Sequence, residues 1–319
     1  MRSRLIFMVL ACAALPCVSG GQGGAHTHLR IGLVIPPASA NSRAAASIAR
    51  GVRLGAAESK QTATLFGDDV ELFEMTGTGG GAVAAAEKLL SERQVQVLIG
   101  AASGDVDPLS RFAEAHHVLF FNPASRAESL RAACRHFTFN IEASDATYAN
   151  VSRLGGNPET PSAPVNRNAS LRRDSVVLWG SSLQRFGASQ INDRYRVMFR
   201  EGMDGGAWAG WAAVKIVADA ALRARSTSPT RLVTYLESPT TAFDGHKGWQ
   251  LSFRRTDHQL RQPLYIVVTT VRAGARNQAL RDVPELRAPV NSSDGDDSRA
   301  ADQVLDRLIG PDTPRICGR

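Results

Sequence analysis

The sequence is poor in several features that would point to particular kinds of protein. No apolar run reaches the ~18–20 residues that a membrane-spanning helix needs, so a membrane span in the mature chain is not expected. Lysine is scarce: only Lys60, Lys88, Lys215 and Lys247 stand among 37 basic residues, the rest being arginine. Those basic residues never form a block of five, so the net charge of +7 reads as a compositional bias and not as a nucleic-acid footprint. Catalytic groupings are missing too. The seven histidines include no helical pair at i, i+4 and do not cluster with the cysteines, and no G-x-S-x-G elbow occurs. No cofactor, metal or enzymatic activity is therefore expected. Nor is the chain disordered, because 43% hydrophobic and 21% charged residues match an ordinary globular composition.

What is present begins with an export signal. Met1–Arg4 is positive, Leu5–Val18 is apolar, and Ser19, Gly20 and Gly21 are small. This layout predicts a signal peptide over residues 1–22, cleaved near Gly20, and a periplasmic or otherwise exported mature protein. The competing reading, a buried N-terminal helix, fits poorly with the Gly-Gly-Gln-Gly-Gly that follows. Cleavage removes Cys12 and Cys17 and leaves Cys134 and Cys317. Two thiols in an oxidising compartment suggest one disulfide, with two free cysteines as the alternative.

From His28 onward, strands and helices alternate. Leu29–Ile35, Val70–Met75, Val95–Ile99 and Val118–Asn122 read as buried strands, and Ala44–Ser59, Ala82–Glu92 and Val106–His116 as helices. This spacing predicts an α/β fold with a parallel, doubly wound sheet over residues 28–150. Residues 154–173 are polar and rich in Pro, Gly and Asn, as a linker or deletion scar would be. Residues 174–271 hold further predicted elements: a strand at Ser175–Trp179, helices at Ser189–Arg200, Met203–Arg225 and Pro229–Glu237, and a strand at Leu264–Val271. Residues 272–319 read as a polar tail.

These segments resemble the type 1 periplasmic solute-binding proteins of branched-chain amino acid ABC transporters. The resemblance rests on Arg30–Pro36, Gly51–Glu58, Val97–Ser103, Phe121–Ser125, Ala207–Ala224, Leu232–Leu236, Phe243–Gly248 and Leu251–Phe253. The string Leu251–Leu264 is similar to the binding proteins associated with pyrroloquinoline-quinone-dependent alcohol dehydrogenase systems, which also carry a cysteine in the first lobe and one near the C-terminus. The resemblance implies two α/β lobes, a small solute held between them without covalent chemistry, a permease partner, and a Cys134–Cys317 bridge. Against that pattern, 174–271 is short by two strand–helix units of about 60 residues, so the second lobe looks truncated. A degenerate scaffold or sensor that contacts a protein partner is the competing expectation.

Candidate ligand-binding residues follow from the rule that parallel sheets bind at the carboxyl ends of their strands. The loops Pro36–Asn41, Ala101–Gly104 and Asn122–Ser125 meet it, each ahead of a helix whose exposed N–H groups suit a carboxylate. The resemblance places contacts at Ser103 and Ser125, with backbone groups from Ala102 and Ala124; plain helix capping is the alternative. Trp179 could stack on a ligand as the opposite wall or serve as core, and Tyr148 sits near the lobe crossing. The turn Gly77–Ala82 fits G-x-G-x-x-A, but it follows the second strand and lacks the acidic partner of a dinucleotide site.

Overall fold

The computed structural model describes residues 26–38, 42–78, 81–154, 171–272, 275–282, 296–310 and 316–317. The expected signal peptide over residues 1–22, most of 154–173 and 291–295 lie outside them.

Five strands, β1 (His28–Ile35), β2 (Asp69–Thr76), β3 (Val97–Gly100), β4 (Leu119–Asn122) and β5 (Thr138–Asn140), form one sheet in the order β2-β1-β3-β4-β5. Every pairing in it is parallel. Alternation along β1 splits its side chains between two cores. Leu29, Ile31 and Leu33 enter one and Val34 the other, as the period of two requires. The second core lies under α2 (Gly81–Arg93), α3 (Val106–His116) and α4 (Glu128–Ala133).

The first core is covered from further along the chain. α1 (Arg43–Thr64) packs against α7 (Gly205–Ala224), and α8 (Pro229–Leu236) closes the same layer. Ser42 caps α1 by accepting from Ala45 N at 3.2 Å, and Asp204 caps α7 by accepting from Ala207 N at 2.9 Å. Gly51 and Gly55 of α1 lie against Ala207, Trp211 and Val214, while Gly206 and Gly210 of α7 lie against Ile48. The helices therefore run parallel with their backbones in direct contact. A Cβ at Gly51 would fall 1.9 Å from the Ala207 carbonyl oxygen, and one at Gly210 2.3 Å from that of Ile48.

The remaining strands are all antiparallel. β6 (Leu171–Val177), β10 (Tyr265–Arg272) and β11 (Ala275–Asp282) form one sheet, and β7 (Phe243–Asp244), β8 (Gln250–Phe253) and β9 (Leu260–Arg261) another. Trp208, Trp211, Leu232, Leu251 and Phe253 belong to the same core as Leu29, Phe121 and Phe139. The sequence division near residue 150 is thus not a division in space: much of 174–271 completes the first lobe. The expected polar tail also needs correction. β11 lies in it, and so does α9 (Asp296–Ile309), which buries Leu305 and Leu308 against α5 (Asp145–Leu154) and the β8–β9 hairpin. Its sparse apolar residues recur at helical spacing, which a polar average conceals.

Cys134 ends α4 in the left-handed conformation and is bonded to Cys317. Cys317 N donates to Arg255 O at 3.1 Å, so the bridge and this bond together hold the chain's end against the 254–258 turn.

Candidate functional site

The sheet order reverses between β1 and β3, which places a crevice at the carboxyl ends of β1, β3 and β4. Since Ile99 pairs with Phe121, the loops after β3 and β4 leave the sheet side by side. After β3, Ala102 is extended and Ser103 opens a 3-10 turn, Ser103–Asp105, that leads into α3. No side chain caps this turn, and the exposed Ser103 hydroxyl has no protein partner among the described residues. Burial raises the pKa of Asp105 beside it.

The loop after β4 is tied down instead. Asn122 is fully buried; its Oδ1 accepts from Ala124 N at 3.1 Å and Ser125 N at 2.7 Å, and its Nδ2 donates to Ser125 O at 2.8 Å. The Ser125 hydroxyl accepts from Ala127 N at 3.4 Å. Ser125 is therefore consumed in shaping the loop, while Ala124 remains half-buried at its turn. Arg131 lies buried beneath, donating to Ser125 O, Ala127 O, Glu142 O and Gln259 Oε1, and desolvation lowers its pKa to about 10.

Arg126, Glu142 and Tyr148 form the charged part of this shelf, and sequence reasoning singled out only the tyrosine. Tyr148 donates to Glu142 Oε1 at 2.7 Å, and the Arg126 guanidinium lies over the Tyr148 ring at 3.7 Å. Arg126 Nε is 3.8 Å from Glu142 Oε1, yet the Arg126 side chain remains 46% exposed. Burial raises the pKa of Glu142 against the opposing pull of Arg126, and raises that of Tyr148 as well. The geometry offers a guanidinium fixed by an aromatic platform, with one face open to an incoming anion. The adjacency of Ser125-Arg126 to a strand end was the available signal for Arg126.

Trp179 is placed elsewhere. It is 2% exposed, donates from Nε1 to Asn192 Oδ1 at 2.9 Å and stacks on Trp208 at 5.9 Å. It is a core residue and does not face the crevice as a stacking wall, because the end of β6 turns its side chain into the layer beneath α6 (Ala188–Phe199) and α7.

Below Trp208 lies Lys247, fully enclosed. Its Nζ donates to Leu178 O at 2.9 Å, Gln262 Oε1 at 2.9 Å and Pro263 O at 3.0 Å, and sits 3.9 Å from the Trp208 ring centre. Desolvation pushes its pKa well below the usual lysine value, opposed only by the charge of Glu142. Lys247→Met keeps the stem but strands three buried acceptors, so a loss of about 2 kcal/mol is expected. Between the depressed folded pKa and the ordinary lysine value, the unfolded chain binds more protons. The wild-type contribution therefore rises with pH across that window. Urea unfolding at a series of alkaline pH values should show the deficit of K247M widening as pH rises; a constant deficit would refute the assignment.

Among the described residues one group has the makings of a metal site. His28 Nε2 lies 2.9 Å from Glu71 Oε2 and 3.3 Å from Asp69 Oδ2. Arg30 and Lys60 approach the same carboxylates at 3.8 and 3.7 Å, so the group reads as a surface ion-pair network. Gly77–Ala82 follows β2, and its Gly79 and Gly80 lie outside the described residues.

Comparison with known proteins places this geometry. Residues 28–157 match the family described as "Periplasmic binding protein". No curated protein matches the sequence. The fold is that of type 1 periplasmic binding proteins. A branched-chain amino acid ABC transporter periplasmic ligand-binding protein from Burkholderia xenovorans superimposes with a TM-score of 0.65 at 10% identity, covering 89% of this chain and 97% of its own. A branched-chain amino acid transporter substrate-binding protein from Streptococcus pneumoniae, in complex with isoleucine, gives 0.59 at 13% identity, covering 80% and 100%. An ABC transporter solute-binding protein from R. palustris, in complex with benzoate, gives 0.59 at 12% identity, covering 79% and 96%. Among the described residues no helix is long and apolar enough to cross a membrane.

Proposed function

We propose that this chain is an exported member of the periplasmic binding protein family, one that captures a small solute for an ABC permease without covalent chemistry. The solute class is a carboxylate-bearing or alcohol-derived small molecule. The observation that carries this reading is the strand-end shelf: the loop bearing Ser103, whose hydroxyl has no partner among the described residues, leaves the sheet beside the loop bearing a half-exposed Arg126 braced on Tyr148. Arg126 would take the carboxylate as a charge-assisted pair, Ser103 and the N–H groups near Ala102 and Ala124 would complete its shell, and Ser125 and Asn122 would hold the loop in shape. Association with a pyrroloquinoline-quinone-dependent alcohol dehydrogenase system belongs to the same proposal and rests on the Leu251–Leu264 string and the cysteine pair.

Two measurements test it. The purified protein should give a saturable thermal shift with one class among amino acids, organic acids, alcohols and aldehydes. If a carboxylate is the ligand, Arg126→Ala should weaken its binding by about 10–100-fold, the worth of a hydrogen bond to a charged group. A folded protein that responds to none of these classes would sink the solute-binding reading.

One observation favours the competing role of scaffold or sensor: Trp179 is buried, and much of the second half is used in covering the first lobe. A failed ligand screen, combined with capture of a defined dehydrogenase or permease subunit by the purified protein, would select that role.

A further inference from the structure

A second cavity lies away from the strand-end shelf. It has a volume of about 330 Å3 and sits between the C-terminal halves of α1 and α7 and the turn that joins β7 to β8. α1 leaves the sheet at the shelf, and Glu58 is four turns further on. At 1.5 Å per residue, the cavity is therefore about 20 Å along α1 from that helix's start. The volume is at the lower end of the range for small-molecule pockets, about 300–1,000 Å3.

Its walls divide into an apolar part and a charged part. Ile216, Leu222, Phe243 and Leu251 supply the apolar surface. Both acids on the helical side are already matched: Glu58 accepts from Arg194 Nε at 2.6 Å and Trp211 Nε1 at 2.9 Å, and Asp219 accepts from Arg223 Nε at 2.8 and 2.9 Å. Asp244, on the turn, points largely to solvent and accepts from His246 N at 2.8 Å. Lys215 is different. It is half-buried in the same wall and has neither a hydrogen bond nor an ion pair among the described residues. Burial lowers its pKa, and the nearby charge of Arg194 adds to that, against Glu58 and Asp219. The buried hydroxyl of Ser59, also in this wall, likewise lacks a partner. A half-buried ammonium that no acceptor contacts directly is costly, and a buried hydroxyl with no partner among the described residues adds to the cost.

We propose that this cavity is a second binding site, taking a small monocarboxylate with an aliphatic or aromatic body whose carboxylate pairs with Lys215. The arrangement of charges selects a monoanion. Glu58 and Asp219 are paired with Arg194 and Arg223, and Asp244 points largely to solvent, so Lys215 is the lining cation that no carboxylate holds, and the two paired acids would repel a dianion. The apolar walls select a hydrophobic body over a polar one. The site does not depend on the shelf and stands whether or not the shelf holds a solute.

The scarcity of lysine gives a direct test. Protein labelled at lysine Cε has only four side-chain signals, one of which disappears in Lys215→Met. Benzoate and hexanoate are the probes, with methyl benzoate and hexanamide as their uncharged counterparts. The Lys215 signal should move saturably with at least one acid and with neither neutral analogue. Ala242 also lines the cavity, and Ala242→Phe should fill it and raise the dissociation constant at least tenfold. A response to benzoate alone or to hexanoate alone supports the site and assigns the body as aromatic or aliphatic. The proposal is overturned if neither acid moves the Lys215 signal, if the neutral analogues move it equally, or if a folded A242F protein binds as the wild type does. Repeating the titration in R126A separates the sites, because loss of shelf binding leaves the Lys215 response in place.

Discussion

Replacing Gly210 with alanine is expected to lower the unfolding free energy by about 3 kcal/mol, the upper part of the usual range for forcing extra atoms into a packed interior. Intrinsic helix propensity points the other way, since alanine is favoured over glycine by about 1 kcal/mol in a helix interior. The sign of the result therefore decides which effect rules. The new methyl would meet the Ile48 carbonyl oxygen at 2.3 Å, and at Gly51 it would meet that of Ala207 at 1.9 Å. Both obstacles are backbone, so relief requires the helices to separate. Gly51→Ala should behave in the same way. Gly104→Ala, where a methyl meets nothing within 4 Å, should stay close to neutral. Urea unfolding of the three variants checks this, and a stabilised G210A would show that the seam is looser than described.

Loss of the Cys134–Cys317 bridge should cost about 5 kcal/mol at most. The two cysteines are 183 residues apart, and closing so long a loop restricts the unfolded chain near the top of the chain-entropy range. Total stabilities of about 5–15 kcal/mol make this a large fraction of what holds the protein folded. The double variant C134S/C317S and reduced wild-type protein should unfold at similarly low urea concentrations, and reductant should leave the double variant unchanged. Coincident unfolding curves for oxidised and reduced wild-type protein would refute this. The effect should be strongest around α9 and the 254–258 turn, which the bridge holds to α4.

The sequence was most informative where local pattern and local structure coincide. Leu29–Ile35, Val97–Ile99 and Leu119–Asn122 are short apolar runs because the sheet is covered on both faces, and their strands fall within a residue or two of the expected bounds. β5 was not visible: Thr138–Asn140 is three residues long, too short for any periodicity to register. α7 was recognised as a helix but not assigned its partner. Its largely apolar sequence, broken only by Lys215, Asp219 and Arg223, announces burial, yet nothing in a spacing of 3.6 says that the surface across from it is α1, some 160 residues earlier. The site divides in the same way. The loop that carries Ser103 followed from its place after a strand, with Ser103 itself singled out by the family resemblance, whereas the Arg126–Tyr148–Glu142 arrangement depends on how three separate segments fold back. For Trp179 the sequence allows wall or core, because a strand end can turn a side chain either way; in the fold it is core.

The parallel seam between α1 and α7 also bears on timing. The layer that shields Leu29, Ile31 and Leu33 is not complete until residues 205–224 have been synthesised. A chain halted near residue 157, where the family match ends, would carry a sheet with one apolar face covered only in part, by α1. Contacts this distant in sequence slow folding, because a long loop must close before they form. Folding of the central sheet is thus tied to the arrival of a late helix. Under the export proposed above, a chain threaded through a membrane channel before it folds would benefit from that delay.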